Sequence, residues 1–366
     1  MTRAPTIKQD GQAGISAMRR YVLATVVGAL ATLGLMVGAM AALDARDALP
    51  PPQFSNSLCM DEKLNAMRED PPTDVDLLVV GSSVAWRHFN SPAAIAQRPS
   101  LKPYNAGFCG ARIDQTEQVV TWLTTRLPDA RHVLLIASPI DFEGCSESGA
   151  SEFNVKDADS FVFGGAWPPY YYARYFDPVT LARNAPKVRW LRRDQTAFNS
   201  LVQNRFGDGP IDPPRSRGLF YKLPSTPDAS CFASLTRIAR RLRQDGKTLD
   251  VVMTPLHPDW VGHDPARAHT IAALEARARA ALEGVGGHVL AVPHHPDRSA
   301  FFDAIHLRST HTGDLTRKLV SEVYRRPDGG DHRANGASGS SRGQPASLSE
   351  MTLTGSGHSM PSKGSL

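Results

Sequence analysis

A serine hydroxyl becomes a nucleophile only when a base takes its proton, a third group orients that base, and donors await the developing oxyanion. Residues of all these types stand at separated places in this chain. The apolar run "DLLVVG" stops at Gly81 and is followed by Ser82, Ser83 and the short helical pattern "SVAWRHF". Ser83 is therefore expected where a strand ends and a helix begins, a place where the helix dipole favours negative charge. A serine there also serves as an N-cap. Near the other end, "SAFFDAIHLRST" sets Asp303 and His306 three residues apart, a separation at which a carboxylate can hold an imidazole in one tautomer. Between them, "YNAGFCGARIDQ" supplies Asn105, Gly107 and Gly110, residues suited to a tight loop whose backbone N–H groups face an oxyanion, or to an ordinary turn.

These groups need a scaffold that brings them to one edge. Five short apolar runs bounded by turn residues, at 76–81, 102–107, 132–138, 249–255 and 288–293, read as strands of a parallel sheet. Their continuous rather than alternating hydrophobicity suits a sheet covered on both faces. Helical patterns at 114–127, 234–246, 264–287 and beyond Gly313 fill most of the gaps. The expected fold class is α/β, a three-layer α/β/α sandwich with a five-stranded parallel sheet. Ligands of such sheets bind at the carboxyl edge of the strands, where the serine and the glycine loop fall.

The interval 143–233 breaks this alternation. It carries "FGGAWPPYYYARYFDP", a basic helical stretch and a passage rich in proline and glycine, and it reads as a mostly helical insertion or lid. Its aromatic cluster suits a sugar-stacking or acyl-facing surface, or packing against the parent domain.

The pattern Gly-x-Ser after the first strand, Asn-x-x-x-x-Gly after the second and Asp-x-x-His near the end resembles the SGNH hydrolases, also called GDSL esterases. The resemblance covers roughly residues 74–142 and 247–325. It implies a flavodoxin-like SGNH fold with Ser83 as nucleophile, His306 and Asp303 completing a triad, and the backbone N–H groups of Ser83 and Gly110 as the oxyanion hole; it implies no cofactor. The chain departs from the family pattern at two places. Ser82 stands where aspartate is common, and "SPID" puts Ile140 where an oxyanion-hole asparagine is usual, with Asp141 retained.

Both departures resemble the membrane-anchored branch of the family that serves O-acylation of polysaccharides and cell-envelope polymers. The partners implied are an acylated or acyl-accepting polysaccharide and a polytopic membrane O-acyltransferase. Asn105, Asp141 and His257 are expected to support the site. A non-catalytic binding or assembly subunit is the competing expectation, and Ile140 is the feature that favours it.

The compartment is read from Tyr21–Leu43, 23 uncharged residues preceded by Arg19-Arg20. At about 1.5 Å per residue this spans a hydrocarbon core of roughly 30 Å, and the arginines put the N-terminus in the cytoplasm. The expectation is a single-pass inner-membrane anchor with a periplasmic or extracellular domain; a cleaved signal peptide ending near Ala39-Met40-Ala41 is the alternative. Residues 1–20 read as a disordered lead, 44–73 as a linker with a stiff triple-proline spacer, 74–325 as the domain, and 326–366 as a disordered tail.

A formal charge of +5 with scattered basic residues gives no reason to expect nucleic-acid binding. The four cysteines lack metal-ligand spacing. Outside the cytoplasm they permit two disulfides in any of three pairings. The pair His294-His295 has no further residues at ligand spacing, so no metal site is expected.

Overall fold

The computed structural model describes residues 10–145, 152–223, 226–291 and 297–325, with side chains from Ser16 onward. The expected tail and His294-His295 lie outside the described residues. The first helix, α1, runs Asp10–Asp44, and its stretch from Ser16 is long and apolar enough to cross a membrane, with none of its most apolar window buried in the protein. Residues 10–20, expected as a disordered lead, continue this helix. Adding turns to an existing helix costs far less than nucleating one, and Gln12, Ala13, Met18, Arg19 and Arg20 are favourable helix residues.

The elements that follow are α2 (Leu58–Glu69), β1 (Leu77–Gly81), α3 (Ser83–His88), α4 (Ser91–Gln97), β2 (Pro103–Gly107), α5 (Ile113–Arg126) and β3 (His132–Ala137). The interval expected as an insertion then supplies α6 (Val155–Val162), α7 (Pro168–Arg174) and α8 (Pro178–Leu191). The chain closes with α9 (Ala229–Gln244), β4 (Thr248–Met253), α10 (Pro258–Gly262), α11 (Pro265–Leu282), β5 (Gly287–Leu290) and α12 (Thr312–Arg325). Several starts are set by polar caps: Asp177, Asp228 and Asp264 accept backbone N–H groups of the first turns of α8, α9 and α11.

All five strands are parallel, in the order β2-β1-β3-β4-β5. Successive strand side chains point to opposite faces, and both sets are buried. Leu78 and Val80 join one apolar cluster with α2, α5, α6 and α9, while Leu77 and Val79 join another with α3, α4, α10 and α12. This is why the strands read as continuous apolar runs. The strand order reverses between β1 and β3, so the loops after these two strands part and leave a crevice at the carboxyl edge.

Two segments pack more tightly than the sequence suggested. The triple-proline spacer does not stand free: Pro50, Pro51, Pro52 and Phe54 are buried, Tyr172 donates to the Pro50 carbonyl at 2.7 Å, and Phe54 sits among Phe161, Tyr171 and Tyr175. Beyond α8 the insertion is irregular in backbone but hydrogen-bonded. Asn105 N–H donates to the Phe206 carbonyl at 2.8 Å, which covers the outer edge of β2. Disulfides join Cys59 to Cys109 and Cys145 to Cys231. The second closes the base of the insertion, near both of its expected boundaries.

Candidate active site

The turn after β1 places the two serines in different directions. Gly81 has φ +134°, and a Cβ there would meet the Ile136 carbonyl oxygen at 2.1 Å, so only glycine fits between β1 and β3. Ser82 is the N-cap of α3 and accepts from Val84 N–H at 3.4 Å, while its own hydroxyl donates to Asp141 at 2.8 Å. Ser83, the first residue of α3, turns instead to the loop before α12, where its Oγ lies 2.9 Å from His306 Nε2.

The other ring nitrogen of His306, Nδ1, lies 2.9 and 3.1 Å from the two carboxylate oxygens of Asp303. Burial alone would raise the Asp303 carboxyl, but hydrogen bonds from His306 and from the backbone N–H groups of Ile305 and His306 hold it below its ordinary value. Asp303 is therefore an acceptor, Nδ1 carries the proton, and Nε2 is left bare toward the Ser83 hydroxyl. The structure thus brings together Ser83, Asp303 and His306, which the sequence singled out.

Ser83 and His306 open into a cleft of about 610 Å³ that Gly110, Ile140 and Asp141 also line. Among the described residues neither Ser83 N–H nor Gly110 N–H donates a hydrogen bond within the protein. Gly110 has φ +72° with open space where a Cβ would stand. The glycine is required by the backbone turn rather than by crowding. Ile140 offers the cleft no donor. Asp141 accepts from Ser82 Oγ and from Ser138 N–H, at 2.8 and 2.7 Å, and burial pushes its carboxyl up to about 7 in spite of these bonds.

Asn105 does not face the cleft. Its amide donates to the carbonyls of Ala85 and Trp86 and to Asp208, and its Oδ1 accepts Gly107 N–H, so it fastens β2 to α3 below the serine. His257 is the N-cap of α10 and accepts Asp259 N–H; its backbone N–H donates to the Ala304 carbonyl at 2.9 Å. It braces the Asp303–His306 loop from behind and does not line the cleft. Among the described residues no group of three or more His, Cys, Asp or Glu is arranged to hold a metal ion.

Several residues around the cleft escaped the sequence reading. His88, fully buried, accepts Leu307 N–H at Nε2 and bonds Thr254 through Nδ1. Burial above all, with the Arg87 charge nearby, holds it well below its ordinary pKa and so neutral. Phe302 stacks on the His306 ring at 5.4 Å between centroids. Trp190 and Lys187 from α8, with Phe198, Arg217 and Tyr221 from the irregular segment, also line the cleft. The aromatic cluster at residues 163–178, read as a substrate-facing surface or as packing against the parent domain, lines none of it, and its Tyr171 and Tyr175 pack on Phe54. The one sequence signal for the true lining was the pair Lys187 and Trp190 in a helix with no acidic residue.

No family model, curated protein or solved structure matches this chain. Its chemistry is read from its own geometry. A hydroxyl facing the bare nitrogen of an imidazole, itself held by a buried carboxylate, beside two unengaged backbone N–H groups, is an arrangement able to carry out acyl transfer.

Proposed function

We propose that this chain is an SGNH-type α/β/α protein, anchored in the inner membrane by α1 with its domain outside the cytoplasm, that moves or removes an O-acyl group on a polysaccharide or envelope glycan. The observation that carries this reading is the continuous line from Ser83 Oγ through His306 to Asp303 at the mouth of an open cleft. Ser83 Oγ attacks the acyl carbonyl while His306 Nε2 takes its proton, and the N–H groups of Ser83 and Gly110 hold the oxyanion. As the intermediate collapses, His306 returns the proton to the leaving oxygen and the acyl group stays on Ser83. A sugar hydroxyl or water then gives up its proton to His306 and attacks the ester, regenerating the serine.

Without a donor at Ile140 the oxyanion is held by two groups, and losing one such donor costs roughly 2.7–4 kcal/mol of barrier. That slows transfer and hydrolysis alike, and argues against fast turnover of simple esters. The cleft supports a glycan acceptor: Trp190, 56% exposed, offers a stacking face, and Lys187 and Arg217 have no ion-pair partner among the described residues. The polytopic membrane O-acyltransferase is the partner that would supply the acyl group.

The test is to give full-length protein in detergent an aryl acetate, with and without an envelope polysaccharide, and follow both phenol release and acetate on the glycan. Acetylated glycan that disappears with His306→Ala supports the reading. The second reading, a non-catalytic assembly subunit, is favoured by Ile140. It would be supported by glycan binding with no phenol release from folded protein.

A further inference from the structure

The end of α1 is clamped to the domain. Arg192, which caps the C-terminus of α8, donates to the Asp47 carboxylate and carbonyl, to the Leu49 carbonyl and to both oxygens of Glu62. Arg193 adds a bond to Asp47 at 2.8 Å. Asp47 follows α1 by three residues, at φ +57°, and Ala48 N–H closes the helix end on the Leu43 carbonyl at 2.8 Å. The chain between α1 and the domain is thus a fixed joint, made where α8 ends.

Beside this joint, residues 167–179 present apolar side chains to solvent: Trp167 is 72% exposed, Tyr170 50%, Phe176 43% and Val179 74%. They adjoin the segment leaving α1. Tyr170 packs on Tyr171 and Tyr171 on Phe54, at 5.1 Å in each case. Phe176 shares a small crevice with Pro51, Pro52 and Gln53. From Asp44 to Pro51 the chain reaches at most about 25 Å, and the turn it makes shortens that. Exposed tryptophan and tyrosine in a segment packed against the chain that leaves an apolar helix suit the membrane–water interface, where such side chains anchor proteins.

We propose that residues 167–179 seat the domain on the lipid surface from which α1 emerges, with the Arg192 clamp fixing α8 and its cleft residues Lys187 and Trp190 close to that surface. This rests on α1 being a membrane anchor. The occupant is the lipid interface: Trp167, Tyr170, Phe176 and Val179 are exposed, the exposed Arg174 among them is paired with Asp157, and the patch adjoins the only segment, among the described residues, fit to enter a bilayer. The consequence is a cleft held beside the bilayer, where an acyl donor delivered through the membrane arrives.

The chain has five tryptophans, none of them in α1, and Trp86, Trp122 and Trp260 are buried, so lipid quenching reports on the domain surface alone. Full-length protein reconstituted in vesicles with brominated acyl chains is compared with Trp167→Phe and Trp190→Phe in the same vesicles. The proposal expects quenching relative to unbrominated vesicles, most of it lost in Trp167→Phe and retained in Trp190→Phe. Resistance of the reconstituted protein to carbonate extraction is measured in parallel. Carbonate-resistant protein without Trp167-dependent quenching overturns the seating and leaves the anchor in place. Protein released by carbonate overturns the anchor, and the seating with it.

Discussion

His88 Nε2 accepts the backbone N–H of Leu307 at 2.8 Å, and so one buried histidine fixes the residue that follows another. The bare nitrogen of His88 is set by Leu307 N–H, which can only donate, so Nδ1 carries the proton toward Thr254; in His306 it is the acceptor Asp303 that sets the tautomer. His88 touches neither Ser83 nor the cleft space; it positions the loop that carries the base.

Replacing His88 by alanine leaves Leu307 N–H and the Thr254 hydroxyl without partners, each costing about 1–3 kcal/mol when buried. His88→Ala is expected to lower the urea midpoint and slow acylation of Ser83. His88→Gln, whose amide can accept from one group and donate to the other, is expected to recover part of both. Equal loss in the two variants would show that only ring volume matters there.

Asp303→Asn keeps the shape of the loop but supplies an amide where Nδ1–H needs an acceptor. The ring then turns its bare nitrogen away from Ser83, and acylation by an activated ester should fall by up to about 10⁴-fold with the fold intact by circular dichroism. An unchanged rate would remove Asp303 from the line of proton transfer.

Asp141 gives a pH dependence whose sign is fixed. Its carboxyl is raised to about 7 in the fold from an ordinary value near 4 when unfolded. Across that window the folded chain holds the proton that the unfolded chain has lost, so this group's contribution to stability falls as pH rises from about 4 to about 7. Asp141→Asn, permanently neutral and able to accept from Ser82 and Ser138 through one oxygen, should therefore gain on the wild type across the same window. The gain is on the order of 4 kcal/mol at pH 8, since a carboxyl raised from about 4 to about 7 counts about 1.4 kcal/mol per tenfold change in ionisation. Urea unfolding of both proteins at pH 4 and pH 8 measures it; a gap independent of pH would contradict the assignment.

The Cys59–Cys109 disulfide joins α2 to the residue before Gly110, and both cysteines line the cleft. Replacing both by alanine frees the loop that carries one oxyanion donor. Acylation should slow at least tenfold, by an amount that the accompanying change in unfolding midpoint does not explain. Thiol titration of unreduced, denatured wild type should find no free cysteine.

Much of the scaffold was legible because it rests on local signals. All five strands lie within a residue or a few of the apolar runs that announced them, since a sheet buried on both faces leaves no alternation to misread. Ser83, Asp303, His306 and Gly110 stood out because strand-end position and three-residue spacing are local too. The site's remaining walls were not legible. Phe198, Arg217 and Tyr221 reach the cleft through a segment held by tertiary hydrogen bonds, such as that from Asn105 to Phe206, and nothing local marks where such a segment turns. His88 was hidden in a helix pattern, its role fixed by Leu307 in a distant loop. The proline spacer read as free because its partners, Tyr172 and Phe161, lie more than a hundred residues onward.

The central claim is that Ser83 is the nucleophile and Ser82 the cap, and labelling by a fluorophosphonate tests it most directly. Ser82 makes the bond to Val84 N–H that starts α3, so Ser83→Ala removes the hydroxyl facing His306 without removing the cap. The account predicts labelling of wild type and of folded Ser82→Ala, and none of folded Ser83→Ala or His306→Ala. Labelling of Ser83→Ala equal to wild type would contradict it.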